Sequence, residues 1–167
     1  MKKVIIAASL FLMFNFANAQ TIKLGHINSA ELLQLLPEVK AADSTLQAYQ
    51  KTLEDQNTSM LAEYKEKTDD YTNNSKNWTD AVKEVKGQEV QDLQNRIQTF
   101  QQSAQEKLSN KKEEIYTPIL KKAEDAIKAV AKANGYTYVF DTSAGAVVYA
   151  EDGDDLLPLV KKQLNLK

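Results

Sequence analysis

Residues 37–60, PEVKAADSTLQAYQKTLEDQNTSM, carry Val39, Ala42, Leu46, Tyr49, Leu53, Gln56 and Met60 at alternating steps of three and four. That 3.5-residue period is a coiled-coil seam, because it keeps one apolar stripe turned toward a partner helix. Pro37 suits the first turn, where its missing N–H has no intrahelical role, and Glu38 sits at the positive end of the helix dipole. Beyond Met60 the stripe turns sparse and aromatic, with Tyr64, Tyr71, Trp78 and Val85 at strict sevens. A second seam runs through Val90, Leu93, Ile97, Phe100, Ala104, Leu108, Lys111, Ile115 and Ile119 to Val130, and predicts a returning helix closed by Asn134-Gly135. The polar cluster Thr72–Asn77 and the weak helix former Gly87 predict a reversal of direction between residues 73 and 87. The two helices then make one antiparallel hairpin, roughly 55 to 75 Å long by the rise per residue. A globule of this chain's size has a radius of gyration of only about 15 Å, so the hairpin must protrude. Pro118 lies inside the second seam and marks the junction of arm and body.

Outward from the arm, the ends of the chain read as strands and short helices. Ile22–Asn28 alternates like a half-buried strand, and Asn28 with Glu31 has capping-box spacing ahead of Leu32, Leu33, Leu35 and Leu36. YTYVFD, residues 136–141, is the strongest strand in the chain. Thr142–Gly145 reads as a hairpin loop and Ala146–Ala150 as its return strand. The acidic turn 151–155 caps a terminal helix with Leu156, Val160 and Leu164 on its apolar side and Pro158 in its first turn. The fold class is therefore α+β: a long antiparallel coiled-coil arm, residues 37–118, inserted into a small β-sheet body formed by residues 20–36 and 119–167. Ile22, Leu24, Ile27, Tyr138, Phe140, Val147 and Tyr149 are expected to line the body core or a contact between copies.

The first residues have a separate role. Lys2 and Lys3 precede the apolar run Val4–Phe16 and the small-x-small site Ala17-Asn18-Ala19, which is the pattern of a secretory signal peptide cleaved after Ala19. The run falls short of the ~20 residues that a spanning helix needs. Removal leaves Gln20–Lys167 with 19 basic and 23 acidic side chains, a mildly acidic exported chain. With no Cys there is no disulfide framework and no thiolate chemistry, and one His makes a Ser-His-Asp triad or a multi-His metal site improbable. No basic stripe is present to bind nucleic acid. An enzyme and a cofactor are not expected. Asp152, Asp154 and Asp155 around Gly153 lack the remaining ligands of a calcium loop and fit helix capping better. His26 reads as a structural or exposed strand residue.

Three segments, LGHINSAELLQLLPE (24–38), PILKKAEDAIKAVAKANGYTYVFD (118–141) and DLLPLVKKQL (155–164), follow a signal peptide and enclose a coiled-coil hairpin. In that order they resemble the Skp/OmpH family of periplasmic chaperones across essentially the whole mature chain. The resemblance implies a homotrimer whose β-body is assembled from three chains, with helical arms around a cavity. It further implies that unfolded outer-membrane proteins are the partners, held in the cavity without ATP and kept from aggregating. Charge departs from the pattern, because the best-known members are strongly basic. Between Glu38 and Lys107 this chain has 9 basic and 13 acidic residues, which argues against carrying over lipopolysaccharide or anionic-membrane contact.

Tyr64, Tyr71 and Trp78, with Val82 beside them, are the client-binding candidates, because amphipathic aromatics near an arm tip offer apolar contact while tolerating water. They also fit simple packing against the returning helix, opposite Val85, Val90, Leu93, Ile97 and Phe100. The rival function is an envelope coiled-coil adaptor whose arms pair with one folded partner.

Overall fold

The computed structural model describes residues 22–166, so the signal-peptide reading of residues 1–19 lies outside the described residues. Two strands, β1 (Leu24–Ile27) and β2 (Tyr138–Asp141), pair in parallel with Leu24 opposite Tyr138 and Ile27 opposite Asp141. Parallel neighbours need a crossover. Here the crossover contains the arm: α1 (Ser29–Leu35), α2 (Pro37–Asn74), a 3-10 turn at Ser75–Asn77, and α3 (Asp80–Ala133). A second 3-10 turn, Asp152–Asp154, leads to the terminal helix α4 (Leu157–Gln163).

Local chemistry places the element ends. The Asn28 side chain accepts from the Glu31 amide at 3.1 Å and starts α1, Leu36 is extended, and Pro37 opens α2. Thr79 starts α3 by accepting from the Val82 amide at 3.4 Å. Gly135 closes that helix with φ +73°, in the left-handed region that glycine adopts without steric cost. With 38 and 54 residues, α2 and α3 are roughly 57 and 81 Å long. The reversal occupies Ser75–Thr79, and Gly87 lies two turns inside α3, next to the Tyr71 ring.

The body core gathers β1, α1, the root of α2, the last third of α3 and α4 around Ile27, Leu32, Leu36, Leu156 and Val160, none more than 2% exposed. Pro118 sits inside α3, and the helix face buried in this core begins at the next residue, Ile119, continuing through Ala123, Ala126 and Val130. Farther out, burial in the arm is confined to Leu53, Leu93 and Ile97.

Three local readings are corrected. The return strand Ala146–Ala150 does not form. After β2 the Thr142 amide donates to the Ile27 carbonyl at 2.9 Å and Gly145 turns the chain, which then crosses the sheet to the free side of β1. There Asp155 bridges His26 and the Leu156 amide donates to the His26 carbonyl at 2.9 Å. A hairpin beside β2 would leave residue 155 on the wrong side of the sheet, so Val148 stays 99% exposed. In the arm, Asn57 replaces Gln56 at the seam, accepting from Gln101 across the helices at 3.1 Å. Val85 is 59% exposed, because the start of α3 turns Lys83, Lys86 and Gly87 toward α2 instead.

A clamp between distant segments fastens β2 to α1. Asp141 accepts from the Ser29 hydroxyl at 2.5 Å, the Ser29 amide at 3.2 Å and the Ser143 amide at 2.9 Å. Partial burial pushes its carboxyl up, but the hydrogen bonds from Ser29 and Ser143 outweigh this and bring it down to about 2. A depressed carboxylate stabilises the fold above its unfolded value, near 4, and loses that contribution as pH falls toward 2. Asp141→Ala should therefore cost about 1 kcal/mol at neutral pH, after allowance for solvent screening. Urea unfolding should show the gap between variant and parent closing between pH 4 and pH 2; a gap constant over that range would remove the ionised clamp as its cause.

Candidate functional site

Among the described residues, apolar groups gather open to solvent at the arm tip and on the body. At the tip, α2 delivers Tyr71 and the turn delivers Trp78, whose rings meet edge to face with centroids 5.7 Å apart. Gly87 leaves room under the Tyr71 ring, where a Cβ would stand 3.6 Å from Cε2. A two-helix rod has no third element to cover this pair, and both rings remain half-buried. Val82 and Val85 follow on the same face of α3 and are exposed. Tyr64 is also half-buried, but it lies two helical turns below Tyr71 along the seam and does not join the pair. Lys67 reaches Glu89 at 2.9 Å across the helices, and that hydrogen bond holds the Glu89 carboxyl below the usual range. At the arm root Glu38 pairs with Lys122, and Tyr116 donates to Asp43, which pushes the tyrosine upward.

The body surface follows from the period of two along the strands. With Leu24 opposite Tyr138 and His26 opposite Phe140, these four residues share the face turned away from the helices. Gly25, Val139 and Ile27 take the helix side. Residues 146–150 pass over the outer face and leave a cleft of about 760 Å³ against it, lined by Leu24, His26, Phe140, Val147 and Tyr149. Of the seven expected body residues, Ile27 alone is in the core. Ile22, Leu24, Tyr138, Phe140 and Tyr149 are exposed and Val147 is half-buried. A contiguous apolar face of this kind marks an interaction surface.

His26 donates through Nε2 to the Glu151 carbonyl at 3.1 Å, which ties the crossing segment to β1. The Asp155 carboxylate accepts from the Leu157 amide at 2.9 Å, a local turn contact at the start of α4. Among the described residues no group of three acidic or histidine side chains is placed to hold a metal, and no helix is long and apolar enough to cross a membrane. Sequence reasoning missed the Asp141–Ser29 clamp and Lys23, which donates to the Asn134 carbonyl at 3.0 Å and lies 4.0 Å from the Tyr136 ring centroid. The partners are more than 110 residues apart, so no local pattern links them.

Comparison with known proteins gives a consistent picture. The family described as Outer membrane protein (OmpH-like) matches residues 23–164. The chaperone protein Skp of Photorhabdus laumondii is 28% identical over 171 aligned positions, covering 98% of this chain and 99% of the relative. Its namesake from Photorhabdus luminescens is 30% identical with the same coverage. A crystal structure of an OmpH-like protein from Caulobacter crescentus superposes with a TM-score of 0.73 at 16% identity, over 86% of this chain and 84% of that one, a likeness of fold.

Proposed function

The chain belongs to the Skp/OmpH family of chaperones, which are not enzymes, and from that footing we propose that it is an ATP-independent holdase of the periplasm, exported by its signal peptide and working as a homotrimer. Its clients are unfolded outer-membrane proteins, bound between the arms and kept from aggregating. The observation that carries this reading is the arm itself: two helices that protrude beyond the body core and keep Tyr71, Trp78, Val82 and Val85 incompletely covered at the tip. Many such contacts, each weak and indifferent to sequence, add up when several arms hold one chain. Release follows when the client folds and removes its apolar surface. The open sheet face supports self-association, since a two-stranded sheet is marginal alone and gains by covering its apolar side and edges.

Replacing Tyr64, Tyr71 and Trp78 together by Ala should lower suppression of aggregation of an unfolded outer-membrane β-barrel about tenfold at matched stoichiometry while oligomer mass stays the same, because aromatic contact area is lost without touching the body. Unchanged suppression would remove these three from the client site. Absence of suppression by the parent protein itself, with saturable binding of one folded partner, would replace the holdase by the adaptor reading.

A further inference from the structure

The arm's middle third differs chemically from its ends. Residues 88–105, QEVQDLQNRIQTFQQSAQ, hold seven Gln and one Asn but three charged side chains, in a chain that is 26% charged overall. Part of this amide-rich stretch borders a groove of about 240 Å³ along one side of the α2–α3 seam. Its floor is Leu53, Phe100, Ala104 and Leu108, and its rim carries Gln50, Gln101 and Gln105. The groove exists because Ala104 puts a methyl group at a seam position where larger side chains stand above and below. A second shallow groove, holding Met60 and Gln56, lies on the other side of the Phe100 ring, and Lys107 hovers 5.7 Å from that ring's centroid. Asn57 and Gln101, bonded to each other, bridge the helices beside the floor. The rim's one ionisable neighbour, Glu54, already accepts from Gln50 at 2.8 Å.

We infer that this mid-arm groove is a contact site for an extended, unfolded polypeptide segment, with apolar side chains entering against Phe100 and Leu53 and the client backbone pairing with the amide rim. A carboxamide is chemically a peptide group on a stem: it offers donor and acceptor together and matches a backbone whatever the side chains are. Charge also favours this occupant. The arm as a whole is acidic, whereas the groove carries one carboxylate, Glu54, among eight uncharged lining residues, so an acidic client segment is repelled less here than along the rest of the arm. The inference rests on the holdase reading above and adds a second place on the arm at which the client is held.

Two variants test it with an unfolded eight-stranded outer-membrane β-barrel diluted from urea as the probe. Ala104→Leu fills the groove and keeps helix propensity high, and Gln50→Ala/Gln101→Ala/Gln105→Ala strips the rim with the best helix former. Each should raise the client Kd about five- to tenfold, with helicity and oligomer mass unchanged. A photo-crosslinking residue at position 105 should label the client, and labelling should fall in Ala104→Leu. Parent-level affinity, within twofold, in both variants would overturn the mid-arm site while leaving a holdase that binds elsewhere. A parent protein that fails to bind the barrel at all would overturn the holdase reading and the groove with it.

Discussion

Gly25→Ala should cost the body about 3 kcal/mol, among the largest effects of any single methyl group in this chain. A Cβ at position 25 would stand 2.5 Å from Leu156 Cδ1 and 2.8 Å from Cδ1 and Cε1 of Tyr136. Neither neighbour has an easy way out. Leu156 is fully buried, and Tyr136 is held between the core and the Lys23 ammonium. β1 cannot retreat, because Leu156 donates to its His26 carbonyl on one side and β2 pairs with it on the other. Glycine is needed for close approach here, since its φ is not among the positive ones. Thermal unfolding should fall by about 10 °C, given the few degrees that each kcal/mol shifts a domain of this size. A shift under 2 °C would mean that the Tyr136 ring swings aside freely, and that the packing of α4 on β1 is looser than the structure implies.

The second large effect is on assembly. Phe140→Asp, on the outer sheet face beside Leu24 and Tyr138, should convert the proposed trimer to single chains, read as a threefold drop in mass by light scattering. Phe140 is 48% exposed in the single chain, so the substitution removes little from the chain's own core. Between copies it would bury a carboxylate with no partner, which costs several kcal/mol. Leu61→Asp is the matched control, because Leu61 is exposed to a similar degree on the arm and should leave the mass unchanged. If Phe140→Asp keeps the parent mass, the copies meet somewhere other than this face.

Both predictions act at places that the sequence marked only in part. The arm was legible because its helices are held by one neighbour at a fixed period, so Leu53, Leu93 and Ile97 announce themselves by spacing alone. The caps at Asn28, Pro37 and Gly135 were legible for a similar reason, since each is a contact within a few residues. Val85 was misread because the seven-residue step from Trp78 was carried across the reversal at Ser75–Thr79, where the helix is interrupted and the phase of α3 is set anew. The mid-arm groove was half visible: the amide composition can be counted, but the gap at Ala104 depends on what faces it.

The sequence by itself determined a mildly acidic chain with a long antiparallel arm between two halves of a small α+β body, because periodicity, capping and turn chemistry are local. Only the tertiary structure decided where Ala146–Ala150 goes. Its strand propensity favours a hairpin with β2, yet Asp155 and Leu156 must reach the far side of β1 to fill the core, and burying Leu156, Leu157 and Val160 outweighs one short strand pairing. That choice leaves one face of the sheet apolar and open, and divides the seven body residues into Ile27 within and the rest outside. Such a division is a competition between distant contacts, which no local pattern in the chain encodes.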